Sequence, residues 1–228
     1  RELAPYVCAR DLYKGGKTLL DANENPFANS FEGQFASLNR YPDSDAVALR
    51  KALARYCGVD FKKIIVGNGS DEIISLAINA FAEKGDKIIT LVPGYSMYQV
   101  CAKIAGVQVM RVALDESFEP SLQQILSAAD EKTKLLMFCS PNSPVGVPVK
   151  LESIEGMLAS FEGIVFVDEA YFEFYGQSAL PLLEKYENLI VCRTLSKAWG
   201  LASLRVGYAV ANEKIIEAMR KIKPPYNV

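Results

Sequence analysis

The amino-acid sequence predicts an α/β fold in which a mostly parallel β-sheet carries helices on both faces. Short apolar runs alternate with segments of helical spacing from about residue 46 to the end of the chain. The runs are apolar at consecutive positions, as expected for parallel strands that are buried on both faces. Polar or glycine-containing stretches follow these runs, which is typical of sheets that bind ligands beyond the carboxyl ends of their strands.

An N-terminal arm is predicted over residues 1–45, because this segment is rich in Asn, Pro and Gly and lacks periodicity apart from a short helix near 31–38. Residues 46–228 are assigned to one domain. Helices are predicted where apolar residues recur every three or four positions, at 46–57, 70–83, 95–105, 121–128, 151–161 and 212–221. The last helix is capped by Asn212 and stopped by Pro224 and Pro225.

Strands are predicted at the apolar runs between these helices, over 64–66, 87–92, 107–113, 134–139, 163–168, 189–192 and 206–210. Glycine and proline mark the ends of several of them. Gly67 closes the first strand, Pro93 the second and Pro141 the fourth. The fifth strand ends at a carboxylate, Asp168.

The composition is that of a globular protein, with 228 residues of which 50% are hydrophobic and 23% charged. Because 25 basic residues face 27 acidic ones, there is no electrostatic basis for binding nucleic acid or an anionic membrane. The absence of an 18-residue apolar run predicts no membrane span. The 5 scattered cysteines predict reduced thiols in a cytoplasmic protein. The chain contains no histidine, which excludes His-dependent nucleophiles and His-ligated zinc, and we predict no metal site.

Two strand ends carry residues that can bind charged parts of a ligand, one an anion and the other a cation. Residues 67–72 follow a strand and open a helix, so the glycines and the free N–H groups of the helix can cradle a phosphate. An ordinary turn with a Ser or Asp cap has the same pattern. Asp168 closes a buried strand, where a carboxylate is costly unless a cation pairs with it or it caps the next turn.

Three further strand ends carry candidate residues. Lys197 lies among hydroxyls, with Arg205 eight residues later, and can react with a carbonyl group, although an isolated lysine is usually a solvated surface residue. Tyr95 can stack on an aromatic ring or pack in the core. The loop 140–146 either contacts a ligand or only forms a turn. Together these groups match the needs of pyridoxal phosphate: a lysine for its aldehyde, an acid for its ring nitrogen and a cradle for its phosphate.

These motifs resemble those of the fold-type I pyridoxal-phosphate aminotransferases, and most closely the histidinol-phosphate aminotransferase family. The matching stretches are residues 21–27, 39–42, 67–72, 93–98, 168–171 and 194–201. The resemblance covers the whole chain and implies the cofactor-binding large domain of that fold over 46–228. It also implies that the family's smaller C-terminal domain, with an arginine that grips the substrate, is missing from this chain.

The resemblance implies a role for each matching residue. Lys197 resembles the lysine that bonds to the cofactor and moves the proton between Cα and C4′, Asp168 the partner of the ring nitrogen, and Tyr171 the donor to the ring 3′-oxygen. Tyr95 resembles the stacking residue. Phosphate contacts are implied for Gly69, Ser70, Asp71, Thr194, Ser196 and Arg205. In the arm, Tyr41 resembles a residue that reaches the neighbouring subunit's phosphate, which implies a homodimer, while Tyr6 and Asn23 resemble substrate-side residues.

One motif departs from the family pattern. The family usually has Asn-Asn-Pro-Thr-Gly, in which the second Asn touches the ring 3′-oxygen, whereas this chain has Ser143 there and Val145 in place of Thr. Either Ser143 makes a shorter contact with the ring or Asn142 shifts to replace it.

The implied reaction transfers an amino group between glutamate and imidazole-acetol phosphate, giving histidinol phosphate and 2-oxoglutarate for histidine biosynthesis. A related enzyme that acts on aromatic amino acids or on threonine phosphate is the alternative within the family. A non-catalytic binding protein on the same scaffold would be expected to lack Lys197 or Asp168, and both are present.

Overall fold

A seven-stranded sheet organises residues 43–226, the part of the chain that the computed structural model describes. The strands are β1 Ile64–Asn68, β2 Lys87–Val92, β3 Gln108–Ala113, β4 Thr133–Cys139, β5 Ile164–Asp168, β6 Leu189–Thr194 and β7 Val206–Ala211. Their order across the sheet is β1-β7-β6-β5-β4-β2-β3. Strand β7 runs antiparallel to β1 and β6, and the other neighbouring strands are parallel. The predicted mostly parallel sheet is therefore confirmed.

Seven α-helices connect or flank these strands within residues 43–226. They are α1 Val47–Cys57, α2 Ser70–Phe81, α3 Met97–Ala105, α4 Leu122–Ala128, α5 Leu151–Ser160, α6 Phe172–Tyr175 and α7 Glu213–Ile222. Asn212 caps α7 as predicted, because its side chain accepts the Lys214 N–H at 3.0 Å. Helix α6 is absent from the prediction, since 4 residues are too few to show a helical period. Each of these helices is too short or too polar to cross a lipid bilayer.

Strands β1 and β6 run further than predicted. Gly67 and Asn68 extend β1 by pairing with Gly207 and Val206, and β6 continues through residues 193–194 by pairing with the same part of β7. These residues are not apolar, so their side chains give no strand signal. Hydrogen bonding to β7, which lies between β1 and β6 in the sheet, overrides that local preference.

The core lies in apolar layers on both faces of the sheet, which explains the continuous apolar runs of the strands. On one face, Leu135 and Met137 of β4 pack with α2, α3 and α7. On the other face, Leu136 and Phe138 pack with α4 and α5. Burial of each such side chain contributes about 1.5–3 kcal/mol, so consecutive core residues fix both the strand and its register. Helix α1 covers β1 and β7 through Leu53 and Ala54.

Part of the sequence prediction lies outside the described residues. The short helix near 31–38 and the arm residues Tyr6, Asn23 and Tyr41 belong to this part. The described chain begins at Asp43, four residues before α1.

Candidate active site

A cavity of about 230 Å³ opens at the carboxyl ends of the parallel strands. Most of the residues that the sequence predicts for a site line this cavity: Ser70, Asp71, Tyr95, Ser143, Asp168, Tyr171, Thr194, Ser196, Lys197 and Arg205. Cys139, Ala170 and Ala202 line it without having been predicted. The fold thus brings together residues that lie more than 130 positions apart in the chain.

The turn from β1 into α2 lies directly beneath a guanidinium group. Gly69 adopts a left-handed φ of 80° and donates its N–H to the carbonyl of Arg205 at 2.8 Å. A Cβ at Gly69 would overlap the Arg205 side chain. Arg205 itself has a φ of 52°, which costs a non-glycine residue about 1–2 kcal/mol. The free N–H end of α2 and the Arg205 cation therefore face the same space, an arrangement that suits an anion.

Strand β7 supports this turn through Gly207. A Cβ at Gly207 would overlap the backbone of Gly69 and Ser70, so only glycine permits the observed approach. Gly207 also pairs with Gly67 of β1 and with Thr194 of β6. The geometry of the turn therefore depends on a residue that does not itself line the cavity.

We expect Gly207→Ala to displace the turn, to cost about 1–3 kcal/mol of unfolding free energy and to weaken phosphate-dependent ligand binding. Gly156→Ala is the matched control, because its Cβ would meet only a Leu122 methyl at 3.6 Å and alanine favours the α5 helix. Urea unfolding and ligand titration measure both effects. If Gly207→Ala has the same stability and ligand affinity as Gly156→Ala, then the close approach of Gly207 does not hold the turn.

The lysine lies in a loop that β7 fixes in place. Leu195 donates its N–H to the carbonyl of Val206 at 2.9 Å. Thr194 donates its hydroxyl to Ser196 at 2.9 Å, which places two hydroxyl groups beside the cavity. The Nζ atom of Lys197 lies 5.7 Å from the centre of the Tyr171 ring. An amine, a phenol and two hydroxyls therefore line one cavity, as the sequence predicts.

Asp168 lies at the bottom of the cavity and is 2% exposed. Its Oδ2 accepts the Tyr98 hydroxyl at 2.9 Å, and its Oδ1 accepts the Ala170 N–H at 3.0 Å. Burial raises the pKa of Asp168 to about 6, although both hydrogen bonds oppose the shift. No Lys or Arg within residues 43–226 forms an ion pair with it. A buried acid of this kind is stabilised by a cationic ligand group.

Tyr95 and Ser143 line the same cavity. Tyr95 donates its hydroxyl to Asp71 at 2.9 Å, which fixes its ring beside the helix end. Asn142 does not line the cavity, because its Nδ2 donates to the carbonyl of Pro93 at 3.0 Å. Asn142 lies instead in an adjoining groove that also contains Ser143 and Tyr171. Of the two alternatives in this loop, the structure brings Ser143 to the cavity.

Sequence reasoning missed two features beside the cavity. The first is Tyr98, whose spacing in α3 is that of any core aromatic residue. The second is a buried ion pair, in which Arg193 donates to Glu169 through Nη2 at 2.8 Å and through Nε at 3.0 Å. Loss of either charge typically costs 3–5 kcal/mol. The sequence did contain a signal for this ion pair: Glu169 directly follows the apolar run of β5, and Arg193 ends the apolar run of β6.

The chain is similar to a group of known enzymes along its whole length. A sequence profile described as "aminotransferase class I and II" matches residues 15–228. The histidinol-phosphate aminotransferase of Bacteroides thetaiotaomicron is 46% identical over 231 residues, which cover 100% of this chain and 65% of that protein. The chain thus spans slightly less than two thirds of the length of this relative.

Solved structures show the same similarity. A putative histidinol-phosphate aminotransferase from Erwinia carotovora atroseptica has a TM-score of 0.80 at 29% identity, over 90% of this chain and 64% of that chain. The histidinol-phosphate aminotransferase of Sinorhizobium meliloti, solved in complex with pyridoxal 5′-phosphate, has a TM-score of 0.75 at 27% identity. That match covers 82% of this chain and 52% of the other.

Proposed function

The chain belongs to the class I and II aminotransferase family, and from this premise we propose that its protein exchanges an amino group between glutamate and imidazole-acetol phosphate. The observation that carries the proposal is Asp168, a buried acid without a cationic partner among residues 43–226, at the bottom of a cavity that Lys197 and Arg205 also line. An acid, an amine and an anion-binding group at one cavity are what pyridoxal phosphate requires.

The residues at the cavity fit the aldehyde, the ring nitrogen and the phosphate of this cofactor. Lys197 supplies an amine for the aldehyde, and Asp168 supplies a carboxylate for the ring nitrogen. The phosphate would be held by the N–H groups of Ser70 and Asp71, the hydroxyls of Thr194 and Ser196, and Arg205. The N–H of Gly69, which the sequence also predicts as a phosphate contact, is instead donated to the carbonyl of Arg205. When it is bound, pyridoxal phosphate supplies an electron-withdrawing ring that stabilises negative charge on the carbon next to the amine.

The side chains of this protein would bind the cofactor, orient it and move one proton. Asp168 would place a negative charge beside the ring nitrogen and so would hold a proton on that nitrogen. Tyr171 would donate to the ring 3′-oxygen, and Tyr95 would pack on the face of the ring. The Nζ atom of Lys197 would be the base that moves the proton between the substrate Cα and the cofactor C4′.

We also propose the organisation that the sequence predicts beyond the described residues. Residues 1–45 would form an arm in which Tyr6 and Asn23 contact the substrate. Tyr41 would reach the phosphate of the neighbouring subunit in a homodimer. Residues 46–228 would form the cofactor-binding domain of a cytoplasmic enzyme of histidine biosynthesis, in keeping with the free cysteines at positions 57, 101, 139 and 192.

The substrate assignment is tested with purified protein and a panel of amino acceptors and donors. We expect glutamate and imidazole-acetol phosphate to give histidinol phosphate with a higher kcat/KM than aromatic 2-oxo acids do. We also expect no release of carbon dioxide from threonine phosphate. Preference for an aromatic acceptor, or decarboxylation of threonine phosphate, would contradict the assignment and support the corresponding relative.

We expect Ser143→Asn to remain active and to lower the pH midpoint of the spectral titration of the bound cofactor. An amide N–H that donates to the ring 3′-oxygen stabilises negative charge on this oxygen. The Lys197 nitrogen that is bonded to the cofactor beside this oxygen therefore loses its proton at a lower pH. A spectrophotometric titration of wild type and variant measures the shift. An unchanged or raised midpoint would place Ser143 away from the ring.

A further inference from the structure

A single phenol connects two residues of the proposed cofactor site. Tyr98 lies in the first turn of α3, is 1% exposed and donates its hydroxyl to Asp168 Oδ2 at 2.9 Å. Its ring packs edge-to-face against Tyr95, with centres 5.6 Å apart, and against Phe166 of β5 at 6.4 Å. Tyr98 does not line the cavity itself, so it lies behind both residues.

We propose that Tyr98 is a positioning residue that holds Asp168 as a carboxylate aimed at the ring nitrogen of the cofactor. The proposal rests on the function proposed above. Asp168 Oδ1 is occupied by the Ala170 N–H, so the two hydrogen bonds fix the carboxyl group at both oxygens. Because the same ring supports Tyr95, one side chain sets the spacing between the acid and the proposed stacking residue.

The electrostatic surroundings give this hydrogen bond its importance. Burial raises the pKa of Tyr98 well above its ordinary value, so its hydroxyl keeps its hydrogen and remains a donor. Titratable groups around Asp168 or across the cavity from it are Asp71, Cys139, Glu169, Tyr171, Cys192, Lys197 and Arg205. The charges of Asp71 and Glu169 raise the pKa of Asp168, whereas the Tyr98 hydroxyl lowers it.

The Tyr98 hydroxyl therefore shifts a proton shared between Asp168 and the ring nitrogen toward the nitrogen. A hydrogen bond to the ionised carboxylate favours the charged acid and so leaves the proton on the nitrogen. Without the hydroxyl, Asp168 would keep its proton up to a higher pH. The attraction for a protonated ring would then be lost over that wider range.

The test compares Tyr98→Phe with Tyr208→Phe. Tyr208 is also fully buried, but its hydroxyl contacts the Cys57 thiol at 3.7 Å and not Asp168. The probe is pyridoxine 5′-phosphate, which keeps the ring nitrogen and the phosphate but has no aldehyde that can react with Lys197. Its dissociation constant is measured calorimetrically from pH 5 to pH 8, and urea unfolding establishes that both variants are folded.

Wild type is expected to bind the probe less tightly below about pH 6, where Asp168 becomes protonated. We expect Tyr98→Phe to weaken binding about tenfold at pH 7 and to raise this pH midpoint by about one unit, while Tyr208→Phe changes neither. Equal behaviour of Tyr98→Phe and wild type, or equal weakening by both variants, would overturn the positioning role alone. Failure of wild type to bind the probe would instead overturn the proposed function.

Discussion

Replacement of Lys197 by alanine is expected to abolish transamination, with a loss of at least about 10⁴-fold in the rate at which glutamate converts the bound cofactor. The variant retains the acid and the phosphate-binding groups, so it should still bind pyridoxal phosphate. It lacks the amine that would move the proton between Cα and C4′, and within residues 43–226 the cavity is lined by no other lysine. A single-turnover spectrum after addition of glutamate measures the loss.

Lys214→Ala is the control for this experiment, because Lys214 is an exposed lysine that pairs with Glu187 at 3.7 Å on the surface. It should react at the wild-type rate. A Lys197→Ala protein that reacts within tenfold of wild type would assign the proton transfer to another group and contradict the proposed role.

Asp168→Asn is expected to leave the cofactor bound but to lower the rate by about 10²–10³-fold. A neutral amide cannot hold the proton on the ring nitrogen, and removal of one preorganised charge from a buried site costs about 3–4 kcal/mol of transition-state stabilisation. Single-turnover conversion by glutamate measures this loss. A rate within threefold of wild type would mean that Asp168 does not face the ring.

The same substitution is expected to stabilise the protein without cofactor. The pKa of Asp168 is raised from 3.8 to about 6, so the folded state binds a proton more tightly than the unfolded state does. This difference favours folding below pH 3.8 and is lost as the pH rises through 6. Above pH 6 the buried charge costs up to about 3 kcal/mol, which Asp168→Asn removes. Urea unfolding at pH 8 and pH 4 should show a gain at the higher pH only.

The sequence predicted the sheet well because most of its strands are buried on both faces, with the edge strand β3 as the mostly exposed exception. The prediction gave β2 its observed bounds, 87–92, because charged residues precede this segment and a proline follows it. The ends of β1 and β6 were placed two residues short, because their last residues gain strand structure only by pairing with β7. The pairing of β1 with β7 connects residues about 140 positions apart, and no local pattern encodes it.

The site residues that face the cavity were more predictable than those behind it. Asp168 ends β5 and Lys197 follows β6, at the edge of the sheet where a polar residue has a recognisable reason to occur, and Arg205 lies eight residues after Lys197. Tyr98 and Gly207 act through contacts that depend on three-dimensional packing: one hydroxyl behind a carboxylate and one backbone against another. Arg193 and Glu169 are 24 positions apart and meet only because β5 and β6 are neighbours.

The central claim is that Lys197 and Asp168 face one pyridoxal phosphate in the cavity at the strand ends. The most direct test is to incubate the protein with pyridoxal phosphate, reduce it with borohydride, digest it and locate the phosphopyridoxyl group by mass spectrometry. Reduction fixes the cofactor permanently to the amine that carries it. We predict stoichiometric labelling of the peptide that contains Lys197 and loss of this label in Lys197→Ala. Labelling spread over exposed lysines such as Lys214, or absent altogether, would contradict the account.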